Sequence, residues 1–127
     1  MREPRILKVL EKYRAKNLRV PIIVEGRNDV NMLRRLDFRG EIITMNSGNS
    51  LVAFTEEVAK EFREVIILTD FDRRGRQMRV EFERLFVSLG VHADTYLWEF
   101  LYRSGGIRSV EELGYAQEKA KQRLLQQ

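Results

Sequence analysis

Three short apolar runs predict β-strands, at residues 20–24, 42–45 and 65–69. They are rich in β-branched residues and do not alternate with polar ones, which is typical of parallel strands covered on both faces. The segments between them are too long for hairpin turns. A fourth strand is predicted over residues 91–97.

Helical spacing of apolar residues fills the intervals between these runs. One helix is predicted after Asn28 and Asp29, and a second over the stripe at 51, 54, 58 and 62. A third carries apolar residues at 78, 82, 85, 86 and 89 and ends at Gly90, a C-capping residue type. Alternating strands and helices predict an α/β protein with a Rossmann-like, open, mainly parallel four-stranded sheet flanked by helices.

The two ends of the chain predict accessory helices at 1–19 and 109–127 around a core at 20–97. Pro4 suits the first turn of the former, and Ser109 with Glu112 has the spacing of a capping box at the start of the latter. Gly114 is expected to interrupt this last helix. With neither repeat nor linker, the 127 residues predict a single domain.

Composition removes several classes of function. The chain has no cysteine and one histidine, which excludes disulfide scaffolds, zinc ribbons, iron–sulfur clusters and histidine-based metal cages. Any metal must therefore be held by oxygen, which points to magnesium, manganese or calcium. No apolar run reaches the roughly 20 residues of a spanning helix, and no signal-peptide pattern opens the chain, so we expect a cytoplasmic protein without membrane contact.

The net charge is +4, and arginine outnumbers lysine. Arginine's planar fork suits phosphate and carboxylate groups, so a polyanionic partner is compatible with this balance. A solvated basic surface explains the same charge equally well.

Acidic residues follow two of the predicted strands, at the edge where open α/β sheets gather ligands. Glu25 ends the first strand, and Asp70 and Asp72 follow the third. If these strands are neighbours, the three carboxylates converge, and two charges about 4 Å apart repel by roughly 4 kcal/mol at an effective dielectric of about 20. A magnesium ion would relieve that repulsion. Alternatively, the aspartates pair with following arginines or cap the next helix.

Two motifs together resemble the Toprim domain shared by topoisomerases, primases and small nucleases. Residues 25–30, E-G-R-N-D-V, are similar to the primase-type E-G-x-x-D-V, and residues 70–76, D-F-D-R-R-G-R, are similar to D-x-D-R-x-G-R. The resemblance runs from about residue 20 to residue 97. It departs from the topoisomerase-type pattern at Arg74, where those members carry a third acid.

The resemblance implies a role for each matching residue. Glu25 would be the general acid/base and a metal ligand, with Asp70 and Asp72 holding Mg²⁺, or alternatively Mn²⁺. Asp29 would be an outer-shell group, with N-terminal capping of its helix as the alternative. The implied nucleic-acid or phosphate-binding residues are Gly26, Arg27, Gly48, Arg73, Gly75 and Arg76. Each of these glycines has the alternative role of supplying a positive φ.

The implied function is magnesium-dependent phosphodiester chemistry on RNA or DNA, as nuclease-type hydrolysis in RNA processing or DNA repair. The alternative is a non-catalytic Toprim-fold adaptor that binds nucleic acid or a replication, repair or RNA-processing partner. A homodimer is compatible with either. Trp98, Phe100 and Tyr102 suggest a base-stacking platform or, alternatively, packing against the sheet or a partner subunit.

Overall fold

The computed structural model describes residues 4–45, 48, 50–104 and 106–126. Within these ranges the strands are β1 (Ile22–Val24), β2 (Ile42–Thr44), β3 (Glu64–Ile67) and β4 (His92–Asp94). The helices are α1 (Arg5–Asn17), α2 (Arg27–Arg35), α3 (Leu51–Glu61), α4 (Arg73–Ser88), α5 (Tyr96–Ser104) and α6 (Leu113–Leu125). A 3-10 turn, Val110–Glu112, leads directly into α6.

The four strands form one parallel sheet in the order β2-β1-β3-β4. Strands β1 and β3 occupy the centre, and β1 is buried along its whole length. This confirms the predicted α/β architecture and explains the uninterrupted apolar runs, because a central parallel strand has helices on both faces.

Alternate strand residues face two separate apolar clusters. Ile22 and Val24 contribute to the cluster packed by α1, α2, α5 and α6, whereas Ile23 contributes to the cluster packed by α3 and α4. The period of two along a strand sends neighbouring side chains to opposite faces, so one three-residue strand supports both helix layers. No helix within the described ranges is long and apolar enough to cross a membrane.

Helix α5 was not predicted from the sequence. The expected fourth strand over 91–97 ends at Asp94, and a helix begins at Tyr96. Leu97, Trp98 and Leu101 are buried at helical spacing and pack on the sheet. The sequence does not reveal this helical period, because the helix follows the apolar residues of the fourth strand almost without a break. The predicted aromatic group is therefore divided: Trp98 is buried, and Tyr102 is an exposed ring stacked on it.

Helix α1 packs at the edge of the sheet, and α6 packs on α1 and α2. Asn17, buried at the end of α1, donates to the carbonyls of Val20 and Glu41 and accepts from the N–H of Gly40. Gly114 does not interrupt α6, contrary to the expectation, because it faces Met32, whose Sδ would lie 2.9 Å from an added Cβ. A close approach between α2 and α6 explains this glycine.

A buried polar cluster joins α1 to the far edge of the sheet. The Asp94 carboxylate accepts the Tyr13 hydroxyl at 2.9 Å and pairs with Lys16, whose ammonium also lies 2.8 Å from Glu64. Burial would raise the pKa of Asp94, but the hydrogen bonds from Lys16, the Tyr96 N–H and Tyr13 outweigh it and lower that pKa. The charged form of Asp94 is therefore the form that stabilises the fold.

Candidate functional site

Glu25 and Asp70 lie side by side because β1 and β3 are neighbours. The register pairs Ile23 of β1 with Ile67 of β3, so these two parallel strands end at the same edge of the sheet. The Asp70 backbone N–H donates to Glu25 Oε2 at 2.7 Å. The condition on which the predicted convergence depended, adjacency of these two strands, is met.

Asp70 and Asp72 lie in the loop after β3, which ends at Ile67 rather than at the predicted residue 69. Asp70 Oδ1 accepts the N–H of Val110 at 2.9 Å. Asp72 is the N-cap of α4 and accepts the Gly75 N–H at 2.8 Å, as the capping alternative predicted. Within the described part of the chain, neither aspartate forms the alternative ion pair with an arginine.

Asp29 combines the two roles considered for it, capping of α2 and a place beside the acidic site. It lies in the first turn of α2, is 5% exposed, and accepts the Gly26 N–H at 3.0 Å, as a capping residue does. Burial raises the pKa of its carboxyl group, and the charge of nearby Asp70 raises it further. Asp29 therefore borders the acidic site while holding the end of β1 to α2.

Burial and the charges of neighbouring acids raise the pKa values of carboxyl groups in this site. Burial raises the pKa of Glu25, and the charges of Asp70, Asp72 and Asp29 raise it further, against the lowering effect of the Asp70 N–H. Burial and the charge of Asp72 likewise raise the pKa of Asp70, against the hydrogen bond from Val110. This mutual repulsion disfavours full ionisation and favours a bound cation.

The C-terminal segment 106–112 completes this site. The sequence did not predict that this segment takes part in it. Phe71 donates its N–H to the Arg108 carbonyl at 3.0 Å, next to the bond between Val110 and Asp70. The charge of Glu111 also raises the pKa of Asp70. The capping-box pattern beginning at Ser109 indicated a helix start, but no local pattern indicates that this start docks on the loop after β3.

The predicted phosphate-binding residues surround the same edge. Arg73 and Arg76 are exposed in the first turn of α4, which holds no acidic residue, and Arg27 is exposed at the start of α2. Helix N-termini favour anions, so these positions suit phosphate. Gly48 is exposed in the turn after β2, the strand beside β1. Ser47, the residue before Gly48, lies outside the described residues.

Neither Gly26 nor Gly75 has the positive φ considered as an alternative. Gly26 has an extended backbone, and a Cβ there would meet open space. Gly75 is required by close approach, because an added Cβ would lie 2.0 Å from the Asp70 carbonyl oxygen. Its own carbonyl accepts the buried Thr69 hydroxyl at 2.7 Å. Gly75 thus lets α4 begin directly against the loop that carries the aspartates.

We expect Gly75→Ala to destabilise the protein by about 1–3 kcal/mol, since overpacking against backbone forces α4 away from the loop. Urea denaturation would measure the loss. Gly26→Ala is the matched control and should cost at most about 1 kcal/mol, the usual difference between glycine and alanine at an N-cap. Equal losses in the two variants would contradict the close-approach explanation.

The acidic residues do not form a ready-made cage. Among the residues that the structure describes, no three His, Cys, Asp or Glu side chains are placed to hold a metal ion together. Each carboxylate of Glu25, Asp70 and Asp72 accepts a hydrogen bond from a backbone N–H at one oxygen. No described residue donates a hydrogen bond to the other oxygen. Magnesium needs only one or two carboxylates beside waters and substrate oxygens, so the donor chemistry fits this ion.

The Toprim domain model matches residues 20–99 of this chain. A UPF0292 protein of Thermoplasma volcanium is 49% identical over 105 residues, covering 83% of this chain and 88% of that protein. A UPF0292 protein of Methanocaldococcus jannaschii is 36% identical over 111 residues, covering 86% and 87%. The chain therefore belongs to the Toprim domain family and, within it, to the UPF0292 proteins.

A solved structure agrees with this assignment. A protein from Aquifex aeolicus superposes with a TM-score of 0.73 and 28% identity, covering 86% of this chain and 99% of that chain. The likeness therefore includes most of the fold and is not confined to the two motifs. A Toprim domain is associated with metal-dependent action on nucleic acid, and this is the general class of function that the family supports.

Proposed function

We propose that this protein carries out magnesium-dependent phosphodiester chemistry on nucleic acid, as nuclease-type hydrolysis. The observation that carries the proposal is the gathering of Glu25, Asp70 and Asp72 at one sheet edge, where they repel one another. Membership of the Toprim family supports the reaction class. Arg73 and Arg76 add the positive charge that a phosphate backbone requires.

Asp70 and Asp72 would hold the magnesium ion directly or through water, and Glu25 would be a further ligand. When bound, magnesium polarises phosphoryl oxygens and lowers the pKa of coordinated water. The hydrogen bonds from Val110 and Gly75 fix the two aspartates before any ion binds. Each of these bonds occupies one carboxylate oxygen, so the other oxygen of each aspartate remains to accept a cation.

Glu25 would move the proton of the attacking water or of the leaving alkoxide. Its raised pKa brings the carboxyl closer to neutral pH, which suits a general acid/base. The arginines at the start of α4 would orient the phosphate without taking part in proton transfer. RNA processing and DNA repair are the settings in which such an activity would serve.

A non-catalytic adaptor is the second candidate. Its supporting observation is that no three acids in the described ranges are placed around a common metal position. In that case the motif residues would bind phosphate and organise the loop after β3, without turnover. An adaptor would bind nucleic acid with the same arginines, so binding alone does not separate the two candidates.

Metal titration tests the proposal without a choice of substrate. We expect Mg²⁺ or Mn²⁺ to bind the wild type, measured by calorimetry or NMR line shifts, and not to bind Asp70→Asn/Asp72→Asn. Asparagine can still accept the hydrogen bonds from Val110 and Gly75, so loss of binding reports loss of charge rather than unfolding. Circular dichroism checks that the double variant is folded.

The control is Glu56→Gln/Glu57→Gln, which removes two exposed acids of α3 away from the site. It should bind metal as the wild type does. Metal-dependent cleavage of single- and double-stranded RNA and DNA is then assayed for all three proteins. Metal binding with no turnover on any of these substrates would favour the adaptor, and metal binding that survives the aspartate changes would contradict the assigned ligands.

A further inference from the structure

A groove of about 1180 Å³ lies between the start of α1, helix α5 and helix α6. None of the acidic residues of the carboxylate site lines it. Apart from Tyr96 and Glu99, the described residues that line it fall outside the segment 20–99 matched by the Toprim model. The groove is therefore built mainly by the parts of this chain that flank the family domain.

The lining is strongly basic. Four cationic side chains, Arg5, Arg103, Lys119 and Arg123, face one acid, Glu99. Arg103 lies 3.6 Å from Glu99, whereas no described carboxylate lies within 4 Å of the other three. The groove thus carries an excess of positive charge that no internal ion pair cancels, which favours an anionic occupant.

Aromatic rings are interleaved with these cations. Tyr115 is 71% exposed and Tyr96 44% exposed, and both line the groove. The Lys119 ammonium lies 6.0 Å from the Tyr115 ring centre, and the Arg5 guanidinium lies 5.5 Å from that of Phe100. An exposed aromatic ring beside cations, as at Tyr115, is the arrangement on which unpaired bases stack while their phosphates are neutralised.

Helix α6 presents this combination along one face. Tyr115, Lys119 and Arg123 are spaced by four residues, so successive turns offer a ring and two cations in line. A linear polyanion can contact all three, whereas a small anion cannot. A paired duplex exposes no base faces to stack on a tyrosine, so the rings favour a single strand.

One segment joins the groove to the carboxylate site. Gly106 and Ile107 line the groove, and three residues further along the chain Val110 donates its N–H to Asp70. A strand lying in the groove is thus bound next to the segment that completes the site. The groove and the carboxylate site are thus joined through one short stretch of chain, from Ile107 to Val110.

We propose that this groove binds a single-stranded segment of the nucleic acid, with Tyr115 stacking on a base and Lys119 and Arg123 contacting phosphates. The inference deepens the proposed function and rests on it for the chemical class of the ligand. It assigns a binding role to residues that the Toprim motifs do not include, and it gives the substrate a preference for a single strand.

The test is fluorescence anisotropy with a labelled oligouridylate and a labelled oligothymidylate, each beside a duplex of equal length. EDTA is present, so binding is measured without metal or cleavage. We expect Tyr115→Ala to weaken single-strand binding by about 5-fold or more, and Tyr115→Phe to preserve it, because the phenyl ring still stacks. Lys119→Glu should weaken binding by about 10-fold and reduce the salt dependence by about one phosphate contact.

Lys121→Glu is the matched control, since it makes the same charge change at an exposed position of α6 that does not line the groove. Equal losses in the Lys119 and Lys121 variants would overturn the proposal, as would duplex binding stronger than single-strand binding or no binding by the wild type. A second copy of this chain is the other possible occupant of the groove, and sedimentation of the wild type and Tyr115→Ala tests it. If the wild type is a dimer and the substitution converts it to a monomer, the groove is an interface between copies and the proposal is overturned.

The failure of this inference and that of the proposed function are distinguishable. Groove variants that bind like the wild type, in a protein that cleaves nucleic acid with metal, overturn only the groove assignment. Groove-dependent binding in a protein without metal binding or turnover overturns only the hydrolytic function.

Discussion

Glu25→Gln is expected to reduce the rate of metal-dependent hydrolysis by about 10²–10⁴-fold, the usual contribution of a positioned general acid or base. Glutamine keeps a side-chain oxygen that can accept the Asp70 N–H, so the loop after β3 retains its anchor. The substitution also removes one of the mutually repelling charges of the site, and for this reason we expect no loss of stability. The effect is therefore on turnover and not on folding.

The measurement is the single-turnover rate at saturating Mg²⁺ across a range of pH. If Glu25 acts as a base, the wild-type rate falls on acidification as this carboxylate becomes protonated. This acidic limb should be missing in the variant. Glu56→Gln on α3 is the matched control and should leave rate and pH profile unchanged. A Glu25→Gln protein that binds metal and retains the wild-type rate would falsify the acid/base role.

Asp94→Ala is expected to have the largest effect on stability, about 3 kcal/mol, because it leaves the partners of a buried carboxylate unsatisfied. The Tyr13 hydroxyl loses its acceptor, and Lys16 keeps only Glu64. Urea denaturation measures the loss. Glu57→Ala, which breaks the exposed pair with Lys60, is the control and should cost less than about 1 kcal/mol.

The stabilisation by Asp94 has a defined pH dependence. The pKa of this carboxyl is lower in the folded state, so folding is favoured by its ionised form. The contribution is fully present above the unfolded-state pKa of about 3.9 and is lost as the pH falls through the lower folded-state pKa. The stability difference between wild type and Asp94→Ala should therefore be constant near neutral pH and shrink below about pH 4. A difference that grows on acidification would contradict this assignment.

Adjacency of the first and third strands gives Glu25 and Asp70 their shared position. The order of residues along the chain does not encode that adjacency, since β2 lies between them in sequence and yet pairs on the other side of β1. The two motifs indicated which residues belong together through a resemblance to a family. The backbone bond from Asp70 to Glu25 is a contact across 45 positions that no local pattern contains.

Local periodicity also misled where one element runs into the next. The apolar stretch after Val91 reads as a strand, but a three-residue strand is followed at once by α5. No sequence pattern indicated that Asp94 is buried, because its burial follows from the packing of α1 against the sheet edge. The groove likewise depends on tertiary packing, because it forms where three helices meet. The sequence of each helix by itself shows only an ordinary amphipathic face.

By itself the sequence determined the α/β class, the approximate limits of β1 to β3 and the carboxylates at the strand ends. It could do so because burial on both faces leaves uninterrupted apolar runs and because the polar residues of a site follow them at once. The tertiary structure alone decided the order of the strands, the docking of segment 106–112 on Asp70 and the basic aromatic groove beside it. Each of these depends on contacts between residues far apart in the chain, and hydrophobic periodicity reports only which face of an element is buried, not what buries it.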